Sequence, residues 1–271
     1  MTGHSHVHDS YSVLPSSVYV WRGFKSPARS YDQFAQFLGS VFVPACALLQ
    51  PPVGLRAYLP TMVPQDAKPA AVPDQTALMF WATPESHDLA NRAIAVRIYQ
   101  NLHGDAYDLQ RSHTLEVPVS IASATGTLVA EQPYFLIDTP ADWMLGDVHH
   151  LVAARSPETT PADFLAQVHA WAMAFHAAPP DAVNGALLCC GTDYLVAWVH
   201  GVKPSAALVC ALDELAALSA PVLRASPRAL TLPAGLWTDW PGLDLIKNPC
   251  INLQFARLPA ASTVPAQPGH R

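Results

Sequence analysis

His87 and Asn91 are the two residues of this chain best suited by type and spacing to acid–base chemistry. At about 100° per residue, both fall on one stripe of a predicted helix with Ile94, whereas Val96 and His103 fall on the opposite face. A neutral imidazole can accept or donate a proton near pH 7, and a carboxamide can hold a carbonyl or enolate oxygen. The pair therefore predicts a catalytic edge on an apolar pocket. The alternative is a histidine that caps the first turn and an asparagine at the rim.

Aromatic residues on the predicted strands supply candidate walls for that pocket. Trp21, Tyr58 and Trp81 could form flat surfaces for an aromatic or polyene substrate, or could equally belong to the core. Arg22 is a charge inside a strand otherwise built of aromatic residues and valines, so it must face solvent, a carboxylate or an anionic ligand. We predict substrate binding for the three aromatic residues and a catalytic role for Arg22 beside His87.

Other histidines leave open a haem or metal site. His149 and His150 lie in a predicted strand that sends one ring to each face, and His169 and His176 share one face of a predicted helix. Any of these, or His87, could be a ligand. The five cysteines form no C-x-x-C spacing and lie in apolar runs, which favours reduced thiols and a reducing cytoplasm.

Several common catalytic motifs do not occur in this sequence. It contains no G-x-G-x-x-G after a strand, no Walker loop, no G-x-S-x-G and no H-E-x-x-H. These absences argue against a nucleotide-phosphate site and a hydrolase triad. The site that we predict therefore has no resident metal or cofactor, with haem or a metal ion as the alternative.

The composition predicts a soluble cytoplasmic protein that binds a small hydrophobic molecule. Of the 271 residues, 51% are apolar and 13% are charged, and the net charge of −6 argues against a nucleic-acid surface. The uncharged stretch 33–55 contains glutamines and prolines, which a lipid-exposed helix would not tolerate, so we expect no membrane span. Polar residues follow Met1 with no apolar segment behind them, so we expect no signal peptide.

One local pattern occurs twice and organises the rest of the chain. Lys-Ser-Pro at 25–27, with Phe34 and Leu38, returns 130 positions later as Arg-Ser-Pro at 155–157, with Phe164 and Val168. Each copy lies where a strand-like run ends and an amphipathic helix begins. Because both the spacing and the downstream elements repeat, we interpret the chain as a tandem duplication.

Each half has the predicted order strand–helix–strand–strand–helix–strand, which is the ferredoxin-like arrangement. The predicted elements of the first half are 18–24, 32–50, 55–59, 75–83, 84–103 and 134–137. Those of the second half are 149–154, 161–177, 186–190, 194–200, 204–218 and 250–256. We therefore predict a disordered arm 1–16, an active repeat 17–140, a scaffold repeat 147–258 and a flexible tail 259–271.

A single repeat would leave one face of its sheet uncovered, so we expect the two sheets to pack face to face. This order resembles the dimeric α+β barrel superfamily, fused into one chain as a pseudo-dimer, over roughly residues 17–258. That superfamily includes cofactor-free monooxygenases of aromatic polyketides, polyketide cyclases, muconolactone isomerases, dehydratases and haem-degrading enzymes.

The resemblance implies an enzyme of secondary metabolism that acts on a hydrophobic carbonyl or aromatic substrate. The implied reaction is cofactor-independent oxygenation, or cyclisation or dehydration. A haem- or metal-binding enzyme on the same fold and a non-catalytic module for hydrophobic ligands are the alternatives, and a homodimer is a possible assembly.

Overall fold

The computed structural model describes residues 17–231, apart from 66–67, 117–118, 138–140, 142, 144–145 and 226–229. Its strands are β1 Ser17–Gly23, β2 Leu55–Met62, β3 Gln75–Trp81, β4 His113–Glu116, β5 Val119–Ser120, β6 Pro133–Phe135, β7 Asp147–Ala154, β8 Gly185–Cys190, β9 Tyr194–Gly201, β10 Ala220–Ala225 and β11 Leu230–Thr231. Its α-helices are α1 Tyr31–Phe37, α2 Val43–Leu49, α3 Pro84–Arg92, α4 Ile94–Ala106, α5 Pro161–Ala177, α6 Ala206–Cys210 and α7 Asp213–Ala217. A π-helical segment, Leu38–Phe42, joins α1 to α2, and 3₁₀ turns occupy Pro51–Val53 and Ile121–Ser123.

The strands form two sheets with the same internal order. The first sheet runs β11-β2-β3-β1-β4, and the second runs β10-β7-β9-β8-β6-β5. Within each sheet the four strands of one repeat pair antiparallel in the ferredoxin-like order, with the repeat's first strand between its third and fourth. The predicted α+β architecture of two ferredoxin-like repeats is confirmed.

The duplicated pattern has the same structure in both repeats. Ser30 caps α1 by accepting a hydrogen bond from the Gln33 amide, and Thr160 caps α5 by accepting one from the Asp163 amide, each at 3.2 Å. In both turns the preceding cation, Lys25 or Arg155, donates to the carbonyl just before the cap. Phe34 and Phe164 are completely buried. The positions 130 residues apart are therefore structurally equivalent.

The repeats exchange a short strand at their ends. β6 follows the first repeat and pairs with β8 of the second sheet, whereas β11 follows the second repeat and pairs with β2 of the first. Our prediction that 134–137 closes the first sheet was wrong, because His113–Glu116 pairs with β1 instead. The segment at 134–137 is apolar because it packs in the second sheet.

The closing strand of the second sheet is β10, which pairs with β7. The strand predicted at 250–256 lies outside the described residues, as do the arm predicted at 1–16 and the tail predicted at 259–271.

The two sheets face each other, with the helices on the outer faces. Across the interface, Thr76 Oγ1 lies 3.0 Å from His150 Nε2, and the rings of Phe80 and Trp143 lie 5.5 Å apart. α1 to α4 pack on the first sheet and α5 to α7 on the second. Among the helices in the described part of the chain, none combines the length and apolar character needed to span a bilayer.

Candidate active site

A cavity of about 280 Å³ lies between the first sheet and the helices of the first repeat. Its lining consists of Trp21, Phe42, Cys46, Gln50, Tyr58, Met79, Trp81, His87, Ala90, Asn91, Gln100, His103, Leu109, Ser112, His113 and Thr114. Five of the six predicted site residues are thus brought together around one space. The mixture of aromatic walls with a few amides and imidazoles is typical of small-molecule sites.

His87 lies on α3, whose start is capped by the Thr83 hydroxyl. Its ring stacks on Tyr19 at a centroid distance of 3.9 Å and meets the Trp81 ring edge-on at 5.3 Å. Burial lowers the pKa of the imidazole, and the nearby acidic groups Asp88 and Glu116 only partly oppose this shift. His87 is therefore held by two aromatic rings as a mainly neutral imidazole, which is the form that accepts a proton.

Asn91 lies near the end of α3 and is joined to the next helix by a side-chain hydrogen bond. Gln100 Nε2 on α4 donates to Asn91 Oδ1 at 2.7 Å. This bond occupies the carbonyl end of Asn91 and leaves its amide end as the group that can donate to a substrate oxygen. The contact also spans the break between the helices at Ala93, where ψ is 132°.

Because the helix breaks at Ala93, the apolar stripe that the sequence predicted for one continuous helix was wrong. One continuous helix would have turned Ile94 inward and Val96 outward, but Ile94 is 78% exposed and Val96 only 1%. An extended residue between two helices changes their rotational phase, so a single 100° period cannot describe both. As a result His103, predicted to lie on the opposite face, lines the cavity.

His103 is a second imidazole in the site that sequence reasoning missed. Its ring makes edge contacts with Trp21 at 5.4 Å and Phe42 at 4.7 Å, and Nδ1 lies 3.2 Å from the Gln100 carbonyl oxygen. Burial lowers its pKa to about 4. The spacing of Val96, Gln100 and His103 would have predicted this face if α4 had been treated as a separate helix.

The aromatic wall is held in place by the buried amide of Gln75. Its Oε1 accepts from Trp21 Nε1 at 2.9 Å and from the Tyr107 hydroxyl at 2.5 Å. Burial raises the pKa values of the Tyr58 and Tyr107 hydroxyls well above their ordinary value. Both phenols therefore stay protonated, so neither places a negative charge beside the cavity.

Arg22, our third catalytic candidate, does not join this cavity. Alternate strand residues point to opposite faces, and Trp21 already faces the helices, so Arg22 faces the other sheet. There its Nη1 donates to the Tyr194 hydroxyl at 2.9 Å and pairs with Glu131. Arg22 is fully buried between the repeats, and this position corrects the prediction of a role beside His87.

His150 and His176 make local contacts outside the cavity. His150 stacks on Trp198 at 4.6 Å, with Nδ1 2.9 Å from the Ala197 carbonyl and Nε2 at Thr76, and burial lowers its pKa to about 4. His176 Nδ1 lies 2.8 Å from the Leu136 carbonyl. Within the ranges that the structure describes, no three His, Cys, Asp or Glu side chains are grouped so that they could hold a metal ion.

The fold and the cavity define a tandem α+β protein with a candidate site in its first repeat. No protein-family model matches the chain, and no curated protein matches it either.

Three solved structures are similar over most of the chain. A candidate monooxygenase from Fusobacterium nucleatum is 10% identical, with a TM-score of 0.34 and coverage of 82% of this chain and 94% of that one. A candidate monooxygenase from Lactobacillus acidophilus is 7% identical, with a TM-score of 0.32 and coverage of 79% and 92%. An anthrone oxidase-like protein is 9% identical, with a TM-score of 0.34 and coverage of 81% and 96%. Because these TM-scores are low, the fold rests on the strand order and register given above.

Proposed function

We propose that the chain is a small-molecule enzyme that removes a proton from a flat, hydrophobic, carbonyl-bearing substrate bound in the cavity of the first repeat. The observation that carries this proposal is the His87 imidazole, held between Tyr19 and Trp81 at the edge of an aromatic cavity. Proton removal from a carbon conjugated with a carbonyl needs a base that is unprotonated near neutral pH and a donor for the developing oxyanion.

The residues around the cavity divide these tasks. His87 would accept the proton, and the amide of Asn91 or the protonated Tyr58 hydroxyl would donate to the oxyanion. Trp21 and Trp81 would sandwich the flat rings and exclude water, which strengthens the hydrogen bonds to the oxyanion. A resident cofactor has no step in this scheme.

Anthrone suits a test of this chemistry because it is a flat tricyclic ketone with an acidic methylene group opposite its carbonyl. Once His87 takes the methylene proton, the carbanion reduces O₂ and bonds to it to form a peroxide anion, and the histidine returns the proton to give the hydroperoxide. Loss of water then gives anthraquinone, so one anthrone and one O₂ yield one anthraquinone and one water. Monooxygenation of this kind is the reaction that we favour, over cyclisation or dehydration of a related carbonyl compound.

We expect the purified protein to accelerate anthrone-dependent oxygen uptake above the rate in buffer, with anthraquinone as the product. An oxygen electrode and product chromatography measure both quantities, and the visible spectrum of the same sample reports any bound haem by its Soret band. Turnover that requires a sample with a Soret band would favour the haem alternative. Binding of anthrone without turnover would favour a non-catalytic ligand-binding module.

A further inference from the structure

The first repeat contains two more residues than the second between equivalent strands. Trp21 on β1 and Leu151 on β7 occupy equivalent positions 130 residues apart. The strand pairings lead from these residues across β3 and β9 to Pro60 on β2 and Leu188 on β8. Pro60 and Leu188 are only 128 residues apart. The first repeat therefore has two more residues between β1 and β2 than the second has between β7 and β8.

The additional residues lie in the first helix of the first repeat. Its counterpart α5 is an uninterrupted α-helix of 17 residues, whereas the first repeat interposes the π-helical segment Leu38–Phe42 between α1 and α2. The Val43 amide there donates to the Leu38 carbonyl, five residues back rather than four. Gly39 has weak helix propensity, and Pro44 has no amide hydrogen to donate, so this stretch can accept a wider turn.

The side chains that follow the wide turn line the cavity. Phe42 ends the π-helical segment, and Cys46 and Gln50 lie one and two turns later on the same side. In the second repeat the regular helix α5 packs on its sheet through buried side chains, namely Phe164, Val168, Trp171, Ala172 and Phe175. The repeats therefore differ in the helix that covers the sheet, and this difference coincides with the site.

We propose that the π-helical segment Leu38–Phe42, which takes up one of the two additional residues, opens the cavity of the first repeat, and that Phe42 sets the length of substrate that it accepts. π-Helical turns in α-helices are frequently found at functional sites. The wide turn places Phe42 against the His103 and Tyr107 rings, at 4.7 Å and 5.3 Å, where its ring forms part of the cavity wall. The substrate class rests on the function proposed above, whereas the origin of the cavity does not.

Deletion of Gly39, which removes the extra residue of the wide turn, tests whether that turn opens the cavity. A regular α-helical turn in its place should draw α2 closer to the sheet, so anthrone should bind at least tenfold more weakly without a fall in melting temperature. Binding is measured anaerobically by quenching of tryptophan fluorescence, which does not depend on turnover. A folded deletion variant that binds anthrone as tightly as the natural chain would overturn the proposal.

Phe42→Ala provides a second test that does not depend on the deletion variant folding. Removing the ring should shift the preference toward naphthacen-5(12H)-one, the four-ring homologue of anthrone, by at least tenfold in the ratio of dissociation constants. Phe175→Ala on α5 is the matched control, because it removes a ring that is also buried, from the second repeat, and should leave the ratio unchanged. An unchanged ratio in Phe42→Ala, or equal shifts in both variants, would show that Phe42 does not set the length. Loss of turnover with these binding results intact would instead count against the proposed reaction.

Discussion

Replacing His87 by alanine is expected to slow anthrone turnover by about 10²- to 10⁴-fold, the usual contribution of one positioned general base. The imidazole is only partly buried and stacks on Tyr19 without filling the core, so the fold should survive its removal. Steady-state oxygen uptake measures the loss of kcat, and circular dichroism checks the fold. His149→Ala is the matched control, since this half-buried histidine lies on β7 of the second sheet, near Asp147. It should retain full turnover.

The assignment of His87 as the base also predicts the direction in which turnover changes with pH. Burial lowers the pKa of His87 from its ordinary value of 6.5, and only the neutral imidazole can accept the proton. Turnover should therefore be independent of pH through neutrality and fall on the acid side, with a midpoint below 6.5. An acid midpoint above 6.5, or the same acid limb in His87→Ala, would assign the titration to another group.

Glu131→Gln is expected to lower the free energy of unfolding by about 2 to 3 kcal/mol, because it leaves the buried Arg22 cation without a counter-ion. Arg22 is completely buried, and its Nε and Nη2 find no hydrogen-bond partner among the described residues. Removing one partner of a buried pair typically costs 3–5 kcal/mol. We expect the loss of unfolding free energy to lie at or below the lower end of that range, because 40% of the Glu131 side chain is exposed and solvent screens its charge.

Replacing the cation itself should cost less than removing its partner. Arg22→Met keeps most of the apolar volume and removes the buried charge, so we expect a change within about 1 kcal/mol of the natural chain. Asp213→Asn is the surface control, since its pair with Arg224 is about half exposed and screened by solvent, so this change should have little effect on stability. Urea unfolding measures all three variants. A loss in Arg22→Met as large as that in Glu131→Gln would show that the pair itself stabilises the interface between repeats.

The elements with strong local signals were predictable from the sequence. Helix α5 has the predicted bounds, because Thr160 and Pro161 mark its start and one apolar stripe runs along its whole length. The duplication predicted both sheets, since matching turns at 25–30 and 155–160 require matching elements on either side.

The elements that depend on distant partners were not predictable. His113–Glu116 is short and polar, and only its pairing with β1 makes it a strand. Nothing in the residues around Ala93 signals a break, because neither glycine nor proline occurs there. The hydrogen-bond partner of Arg22 across the interface, Tyr194, lies 172 residues away.

The residues of the candidate site also divide into those with a clear local pattern and those whose positions depend on distant partners. His87, Asn91, Trp21, Tyr58 and Trp81 could be placed near one another because each lies on an element with a clear local pattern, and all five line the cavity. His103 and Gln75 could not, because their positions follow from the helix break and from side-chain hydrogen bonds within the fold.

The most direct test of the central proposal is proton exchange at the anthrone methylene group in D₂O without oxygen. Proton abstraction by His87 precedes any reaction with O₂, so the natural chain should catalyse exchange of these protons for deuterium under argon, as followed by ¹H NMR. The proposal predicts exchange well above the buffer rate in the natural chain and in His149→Ala, and a rate near that of buffer in His87→Ala. Exchange in the natural chain no faster than in buffer, or equally fast in His87→Ala, would contradict it.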